Sequence, residues 1–209
     1  MRCVDPMESH LFAYMYRLRY IERWSLMRNT TKENVAEHSF HVALLTHMLC
    51  TIANEQLGRK VNTEKAVTMA LFHDVTEVIT GDIPTPVKHH NAEILRNFRE
   101  IEHMAADRLM GMVPEELKTA YKPLITGKYG TPADGGAEHA ELKRYVKAAD
   151  LLDAYLKCVS ELSAGNREFA VAKRQIESSI EKLDMEEVRY FLAHMAPSFE
   201  KTLDELSEG

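Results

Sequence analysis

The chain has no long apolar run. No stretch of about 18 apolar residues occurs in it, which excludes a simple helical membrane span. The start, MRCVDPMESHLF, contains early acidic residues and no apolar core, so it does not predict a secretory signal. Cysteine is scarce: Cys3, Cys50 and Cys158 lie far apart and no CxxC pair occurs. This excludes a disulfide framework and a zinc ribbon, and it predicts a protein of the reducing cytoplasm.

Positive charge is not in excess either. The 26 Lys and Arg residues against 32 Asp and Glu residues give a formal net charge of -6. A dedicated nucleic-acid-binding protein would instead show a clustered basic surface. A small anionic substrate is compatible with this charge, because a few cations or a metal ion reverse the field within one pocket. Alternating strand patterns and internal repeats are also missing.

Helical periodicity is abundant. Apolar residues recur three and four positions apart in the segments 33–58, 62–81, 92–113, 140–165 and 166–183. Asn62 and Asn166 are predicted N-caps, and Gly58, Gly81 and Gly165 are predicted to end helices. A glycine-rich segment at about 126–138 predicts a flexible surface loop that joins helices. The sequence therefore predicts one all-α domain over residues 1–209.

The segment LFHDVTEVITGDIPTPVK, residues 71–88, places charge within an apolar context. On a continuous helix Glu77 would share a face with His73, and Asp74 would lie about 100° round. His73 and Asp74 could then touch one ion, with Glu77 above it. The surrounding apolar residues indicate a largely buried helix, where charge is rare unless paired or bound to metal. From this dyad alone, an exposed His-Asp pair is the more common explanation.

Two further helical segments carry similar groups. ENVAEHSFHVALL contains His38 and His41, and YVKAADLLDAYL contains Asp150 with Asp153 one turn later. Each alone is more often structural, as a core histidine or an acid paired to a lysine such as Lys147. Together with the segment of His73 and Asp74, they supply two imidazoles and two carboxylates from three helices. This donor set suits Mn, Co, Fe or Zn with positions left open for water and substrate, whereas a structural zinc site would use thiolates.

The order His … His-Asp … Asp, in AEHS, FHDVTE and KAAD, resembles the signature of the HD-domain superfamily of metal-dependent phosphohydrolases. RLRYIERWSLMRNTTKENVAEHSFHVALL, HDVTEVITGDIPTPVK, MVPEEL, VKAADLLDAYLKCVSELSAGN and APSFEKTLDEL extend the resemblance to the bacterial 5′-deoxynucleotidase (YfbR-type) family. The resemblance covers roughly residues 8 to 206 and implies a single HD-domain helical bundle.

The resemblance also implies roles for particular residues. The divalent metal ion, Mn²⁺ or Co²⁺ foremost, would be bound by His38, His73, Asp74 and Asp150. Glu77 would handle the catalytic water. The phosphate and sugar would be held by Arg23 and Trp24, and the nucleotide would be contacted by Asp82, Pro84 and Thr85. The implied reaction is hydrolysis of deoxynucleoside 5′-monophosphates by a homodimer, with no nucleic-acid or membrane partner.

Several alternatives stay open at this point. Trp24 could be a core aromatic, Arg23 could lie on the surface, and GDIPTP could be only a turn that ends a helix. An HD-type oxygenase would need further histidines. His89, His90 and His103 are available, and we interpret them as mostly surface residues. A helical interaction module with a degenerate site is a third hypothesis. Two features depart from the family pattern: the extra residues MRCVD and a longer glycine-rich loop.

Overall fold

The computed structural model describes residues 8–88, 90–128 and 136–207, and these ranges are helical and irregular without any β-strand. One isolated antiparallel bridge pairs Glu22 with Asn34. The predicted all-α class is confirmed. Within the same ranges, no helix is both long and apolar enough to cross a membrane.

The α-helices are α1 (Leu11–Met15), α2 (Val35–Leu57), α3 (Thr63–Phe72), α4 (Glu77–Thr80), α5 (Thr85–Lys88), α6 (Ala92–Met110), α7 (Lys118–Thr126), α8 (Gly136–Ser163), α9 (Ala170–Glu181), α10 (Glu186–His194) and α11 (Leu203–Ser207). Short 3-10 helices span Tyr16–Tyr20, Glu115–Leu117, Arg167–Phe169 and Ala196–Glu200. The predicted loop at 126–138 lies for the most part outside the described residues, since 129–135 are not described.

The chain separates into two compact units. The first takes Met1–Leu26, Glu33–Ser39 and Leu71–Gly136, and the second takes Met27–Lys32, Phe40–Ala70 and Ala137–Gly209. The single-domain interpretation stays a prediction.

Side-chain caps explain where several helices begin. At α2, Asn34 Oδ1 accepts from the Glu37 N–H at 3.0 Å, and Glu37 Oε2 accepts from the Asn34 N–H at 3.2 Å, which is a reciprocal capping box. Asn62 caps α3 by accepting from the N–H of Lys65 at 3.1 Å, and Asn166 accepts from the N–H of Glu168 at 3.2 Å. Both predicted caps are confirmed.

The predicted helix over 62–81 is wrong in its middle. Residues 73–76 form a turn between α3 and α4. The turn is tightened by hydrogen bonds between residues three apart, such as the Glu77 N–H to the Asp74 carbonyl at 2.9 Å. In such winding, side chains three positions apart eclipse one another. The continuous helix that would have placed Glu77 on one face with His73 is therefore interrupted, and the charge of Asp74 acts on Glu77.

The turn at 73–76 is stabilised by packing against the core of the first unit. Val75 is buried in a cluster with residues of α1, α6, α7 and the segment between α6 and α7: Leu11, Ala106, Leu109, Val113 and Ile125. Val78 and Ile79 of α4 pack against the same cluster. The preceding helix α3 is not buried all round, because its Leu71 is 45% exposed. The burial of Val75 thus ties the turn that carries His73 and Asp74 to the core of the first unit.

A buried carboxylate organises the second unit. Glu161 of α8 is 1% exposed and accepts hydrogen bonds from Thr30 N–H and Oγ1 at 2.9 and 2.7 Å. It also accepts from Lys157 Nζ at 2.5 Å and Asn166 Nδ2 at 2.8 Å. Burial alone would raise the pKa of Glu161, but these hydrogen bonds outweigh it and lower the pKa to about 2.

Candidate active site

Three of the predicted metal ligands converge in the first unit. His38 Nε2 lies 3.4 Å from Asp74 Oδ2, and His73 Nε2 lies 3.1 Å from the same oxygen. The two imidazole rings are 5.2 Å apart between centroids. One ligand atom from each of the three residues falls within 4.8 Å of the others, so the group can hold a metal ion.

The local folding explains this convergence. The capping box at Asn34 starts α2 so that His38 falls in its first turns, where it is completely buried. His73 and Asp74 are adjacent in the turn that follows α3. Two imidazole nitrogens and one carboxylate oxygen form a mixed donor set that borderline divalent ions favour. The residues present therefore fit a divalent metal ion.

The charge of Asp74 is set by its two histidine neighbours. Burial acts to raise the pKa of this carboxyl, but the charges and hydrogen bonds of His73 and His38 hold it well below its ordinary value. Asp74 is thus an ionised carboxylate, which is the form that binds cations.

Glu77 shows the opposite shift. Burial, followed by the negative charges of Asp74 and Asp82, raises the pKa of Glu77 to about 9. Its Oε2 is buried and has no hydrogen-bond partner among the described residues. A perturbed carboxyl beside a candidate metal site is typical of a catalytic acid or base.

Arg23 is held next to the ligands and is not a surface residue. Its Nε donates to Glu33 Oε1 at 2.7 Å, and its Nη1 lies 3.8 Å from Asp74 Oδ2. The Arg23 side chain is only 11% exposed, and the same holds for Glu33. A planar guanidinium in this position suits a phosphate dianion.

Trp24 and Asp82 are linked directly. The backbone N–H of Trp24 donates a hydrogen bond to the Asp82 carboxyl, whose pKa is nevertheless raised because burial outweighs that bond and the charge of Arg23. Trp24 adopts φ 56°, a left-handed conformation that is uncommon outside glycine and recurs at functional sites. Trp24 is partly buried and does not belong to the fully buried core, and its contact with a substrate stays a prediction.

The GDIPTP segment does end a helix, as its composition requires. Gly81 follows α4 with φ 74°, and its N–H donates to the Glu77 carbonyl at 2.8 Å. Pro84 is partly buried, and Thr85 is exposed at the first position of α5. The turn delivers Asp82 to Trp24 and Arg23, whereas a contact of Pro84 or Thr85 with nucleotide stays a prediction.

Asp150 lies on α8 in the second unit. Its Oδ2 accepts from Lys147 Nζ at 2.7 Å, the acid-lysine pairing that the sequence offered as an alternative. Asp153, one turn later, lies 3.5 Å from His41 Nδ1. The assignment of Asp150 as the fourth ligand stays a prediction.

The histidines that an oxygenase would need are peripheral. His90 and His103 are exposed, which agrees with their interpretation as surface residues, and His89 lies outside the described residues. Glu33 is the site residue that sequence reasoning missed. The hydrogen bond between Glu33 and Arg23 depends on the backbone bridge between Glu22 and Asn34, and no sequence motif predicts that bridge.

The chain is similar to known proteins along most of its length. Residues 10–199 match a sequence model of the family described as 5′-deoxynucleotidase YfbR-like. The 5′-deoxynucleotidase of Citrobacter koseri is 46% identical over 201 residues, which are 96% of this chain and 97% of that protein. The 5′-deoxynucleotidase YfbR of Escherichia coli has the same identity and coverage.

Solved structures show the same fold. An HD-domain phosphohydrolase from Listeria innocua superimposes with a TM-score of 0.73 at 26% identity, covering 90% of this chain and 87% of its own. The cyanophage S-2L HD phosphohydrolase DatZ, bound to dA and one catalytic Zn²⁺ ion, gives a TM-score of 0.60 at 20% identity, with 91% and 96% coverage. The described part of the chain thus has the all-helical fold of HD-domain phosphohydrolases.

Proposed function

The chain belongs to the 5′-deoxynucleotidase YfbR-like family, and we propose that its active site converts deoxynucleoside 5′-monophosphates to deoxynucleosides and phosphate in a metal-dependent reaction. The observation that carries this function is the convergence of His38 and His73 on the ionised Asp74, with Glu77 and Arg23 beside them. The group combines metal donors, a proton acceptor and a phosphate-binding cation.

His38, His73 and Asp74 hold the divalent ion in this proposal, and Asp150 completes the ligand set. A divalent ion lowers the pKa of bound water and neutralises charge on phosphate oxygens. The mixed nitrogen and oxygen donors suit several borderline divalent ions, and among these Mn²⁺ or Co²⁺ is proposed on the family resemblance.

Glu77 takes the proton from the attacking water. Without a cation nearby its pKa of about 9 keeps the carboxyl protonated at neutral pH. Burial, Asp74 and Asp82 raise this pKa, and a divalent ion held by His38, His73 and Asp74 would act against them, so that the Glu77 carboxyl could accept the proton of the water. A positioned general base contributes typically about 10²–10⁴-fold in rate.

Arg23 binds the phosphate, and the Trp24–Asp82 pair faces the sugar. The guanidinium lies within 3.8 Å of a metal-ligand oxygen, so the phosphate can meet both charges at once. The hydrogen bond from the Trp24 backbone to Asp82 holds these two residues together. In this proposal the pair lies against the sugar and excludes a ribose 2′-hydroxyl sterically, which is the deoxyribose preference that the family resemblance implies. Pro84 and Thr85, which follow Asp82 in the chain, contact the nucleotide in this proposal.

The protein acts as a cytoplasmic homodimer in this proposal. One face of α2 supports self-association: Phe40, Leu44 and Met48, spaced four residues apart, are 57%, 55% and 36% exposed. An exposed apolar stripe at helical spacing is typical of a helix-helix contact. The cytoplasmic location rests on the cysteine content described above.

The test is phosphate release from dAMP and from AMP by protein stripped of metal and resupplied with Mn²⁺ or Co²⁺. We expect metal-dependent release from dAMP and little from AMP. The Asp74→Asn variant, which removes one carboxylate at nearly constant volume, should release none and serves as the control for contaminating phosphatase. Equal release from dAMP and AMP would contradict the deoxyribose selectivity. No release with either would contradict the hydrolase assignment.

A further inference from the structure

We propose that Glu33 is a positioning residue that fixes the Arg23 guanidinium for the substrate phosphate. The inference rests on the proposed function, in which Arg23 binds that phosphate. The role assigned to the Glu33 side chain is to act through Arg23.

Glu33 holds Arg23 at two points. Its side-chain Oε1 accepts from Arg23 Nε at 2.7 Å, and its backbone carbonyl accepts from the Arg23 N–H at 2.9 Å. Each of the two side chains is 11% exposed, so solvent screens the pair little. Two attachments to one residue fix both the backbone and the side chain of Arg23.

Glu33 is itself held rigidly. The next residue, Asn34, forms the capping box with Glu37 at the start of α2. The Val35 N–H donates to the Ile21 carbonyl at 3.0 Å, which completes the bridge on the other side of Asn34. The carboxylate therefore projects from a backbone that α2 stabilises, and it transfers this rigidity to Arg23.

The geometry also selects which edge of the guanidinium is used. Glu33 occupies the Nε edge, while Nη1 lies on the side of the metal ligands, 3.8 Å from Asp74 Oδ2. Arginine binds phosphate best when its planar donors are pre-oriented, since a long side chain otherwise samples several rotamers. Glu33 thus presents the terminal amino groups to a phosphate that approaches the metal ligands.

Binding and turnover of Glu33→Ala, Glu33→Gln and wild type test this inference. Calorimetric titration with inorganic phosphate measures the affinity of the Arg23 subsite for phosphate in the absence of a reaction. The kcat and KM for dAMP measure how the same subsite acts during the reaction. We expect Glu33→Ala to weaken phosphate binding and raise KM by about tenfold each, because a charge-assisted contact that orients Arg23 is lost. The phosphate affinity and KM of Glu33→Gln, which keeps an acceptor oxygen, should lie between those of the wild type and those of Glu33→Ala. Binding of deoxyadenosine, which has no phosphate, should be unchanged.

A double-mutant cycle separates positioning from general stabilisation. In an Arg23→Ala background the Glu33→Ala change should have no further effect on phosphate binding, because the group it orients is gone. Glu22→Gln, an exposed glutamate in the same bridge, is the matched control for the loss of one negative charge. It should bind phosphate as the wild type does.

Two outcomes would overturn the inference. One is unchanged phosphate binding in Glu33→Ala, and the other is an equal loss in the Arg23→Ala background. If Glu33→Ala does not fold, the nearly isosteric Glu33→Gln carries the comparison. Failure of the wild type to hydrolyse dAMP would defeat the proposed function instead, and the calorimetric titrations would still decide whether Glu33 orients Arg23.

Discussion

The Nε2 atom of His38 lies 3.4 Å from Oδ2 of Asp74, so the first part of α2 meets the turn after α3 at a single carboxylate oxygen. His73 reaches the same oxygen from the neighbouring position in the chain. Such crowding of donors around one point keeps Asp74 ionised, as its lowered pKa indicates. It also predicts that the three side chains act as a unit.

Asp74→Asn is expected to abolish activity and to weaken Mn²⁺ binding by at least about tenfold, since an amide lacks the negative charge that opposes the cation. Calorimetric titration of the metal-free protein with Mn²⁺ measures this loss. Asp82→Asn is the matched control. The Asp82 carboxyl accepts a hydrogen bond from the Trp24 backbone and is not one of the converging donors, so this variant should retain its Mn²⁺ affinity. Unchanged Mn²⁺ affinity in Asp74→Asn would rule out the assigned ligand group.

Glu77→Gln should separate catalysis from metal binding. We expect kcat for dAMP to fall by about 10²–10⁴-fold, because the amide cannot accept the proton of the attacking water. The KM and the Mn²⁺ affinity should change little, since Glu77 is not among the converging ligand atoms. Steady-state kinetics together with metal titration check both parts. A variant that retains most of its kcat would show that another group is the base.

The same substitution should stabilise the metal-free protein in a pH-dependent way. The folded-state pKa of Glu77 is about 9, against an ordinary value of 4.5. Between these values the unfolded chain releases the proton and the folded chain keeps it, so wild-type stability falls as the pH rises. Glu77→Gln has no such proton to lose. Its advantage in urea unfolding should therefore grow from pH 5 to pH 9, and a constant difference would contradict the raised pKa.

Part of this site could be predicted from sequence and part could not. The apolar period with its asparagine and glycine boundaries predicted most of the helices. The family resemblance implied His38, His73 and Asp74 as metal ligands, and the structure brings these three side chains together. The turn at 73–76 could not be predicted, because its residues continue the helical pattern of the sequence. The turn forms where Val75 packs into the core, which is a tertiary contact. The Glu33–Arg23 pair could not be predicted either, because a single β-bridge joins the two chain segments that carry these residues and the sequence shows no strand pattern there.

Asp150 has two possible roles that a matched pair of variants distinguishes. If it binds metal, Asp150→Asn should lower Mn²⁺ affinity and activity by at least about tenfold, whereas Lys147→Ala should leave both near the wild-type level. The reason is that Lys147 forms only an i,i+3 surface pair with Asp150, of a kind that contributes about 0.5 kcal/mol or less. Equal and small effects of both variants would show that Asp150 is a structural partner of Lys147.

Glu161→Gln should destabilise the protein near neutral pH and lose this effect in acid. The hydrogen bonds of Glu161 lower its folded-state pKa to about 2, below the ordinary 4.5, so the stabilisation is present above pH 4.5 and disappears as the pH falls toward 2. The shift corresponds to about 3 kcal/mol at pH 7. Urea unfolding at pH 7, 5, 4 and 3 measures the difference from wild type. Glu168→Gln is the control, because the Arg28 partner of Glu168 is almost fully exposed and screened by solvent. A Glu161→Gln deficit that stays constant from pH 7 to pH 3 would mean that lost packing, and not the buried charge with its hydrogen bonds, accounts for the effect.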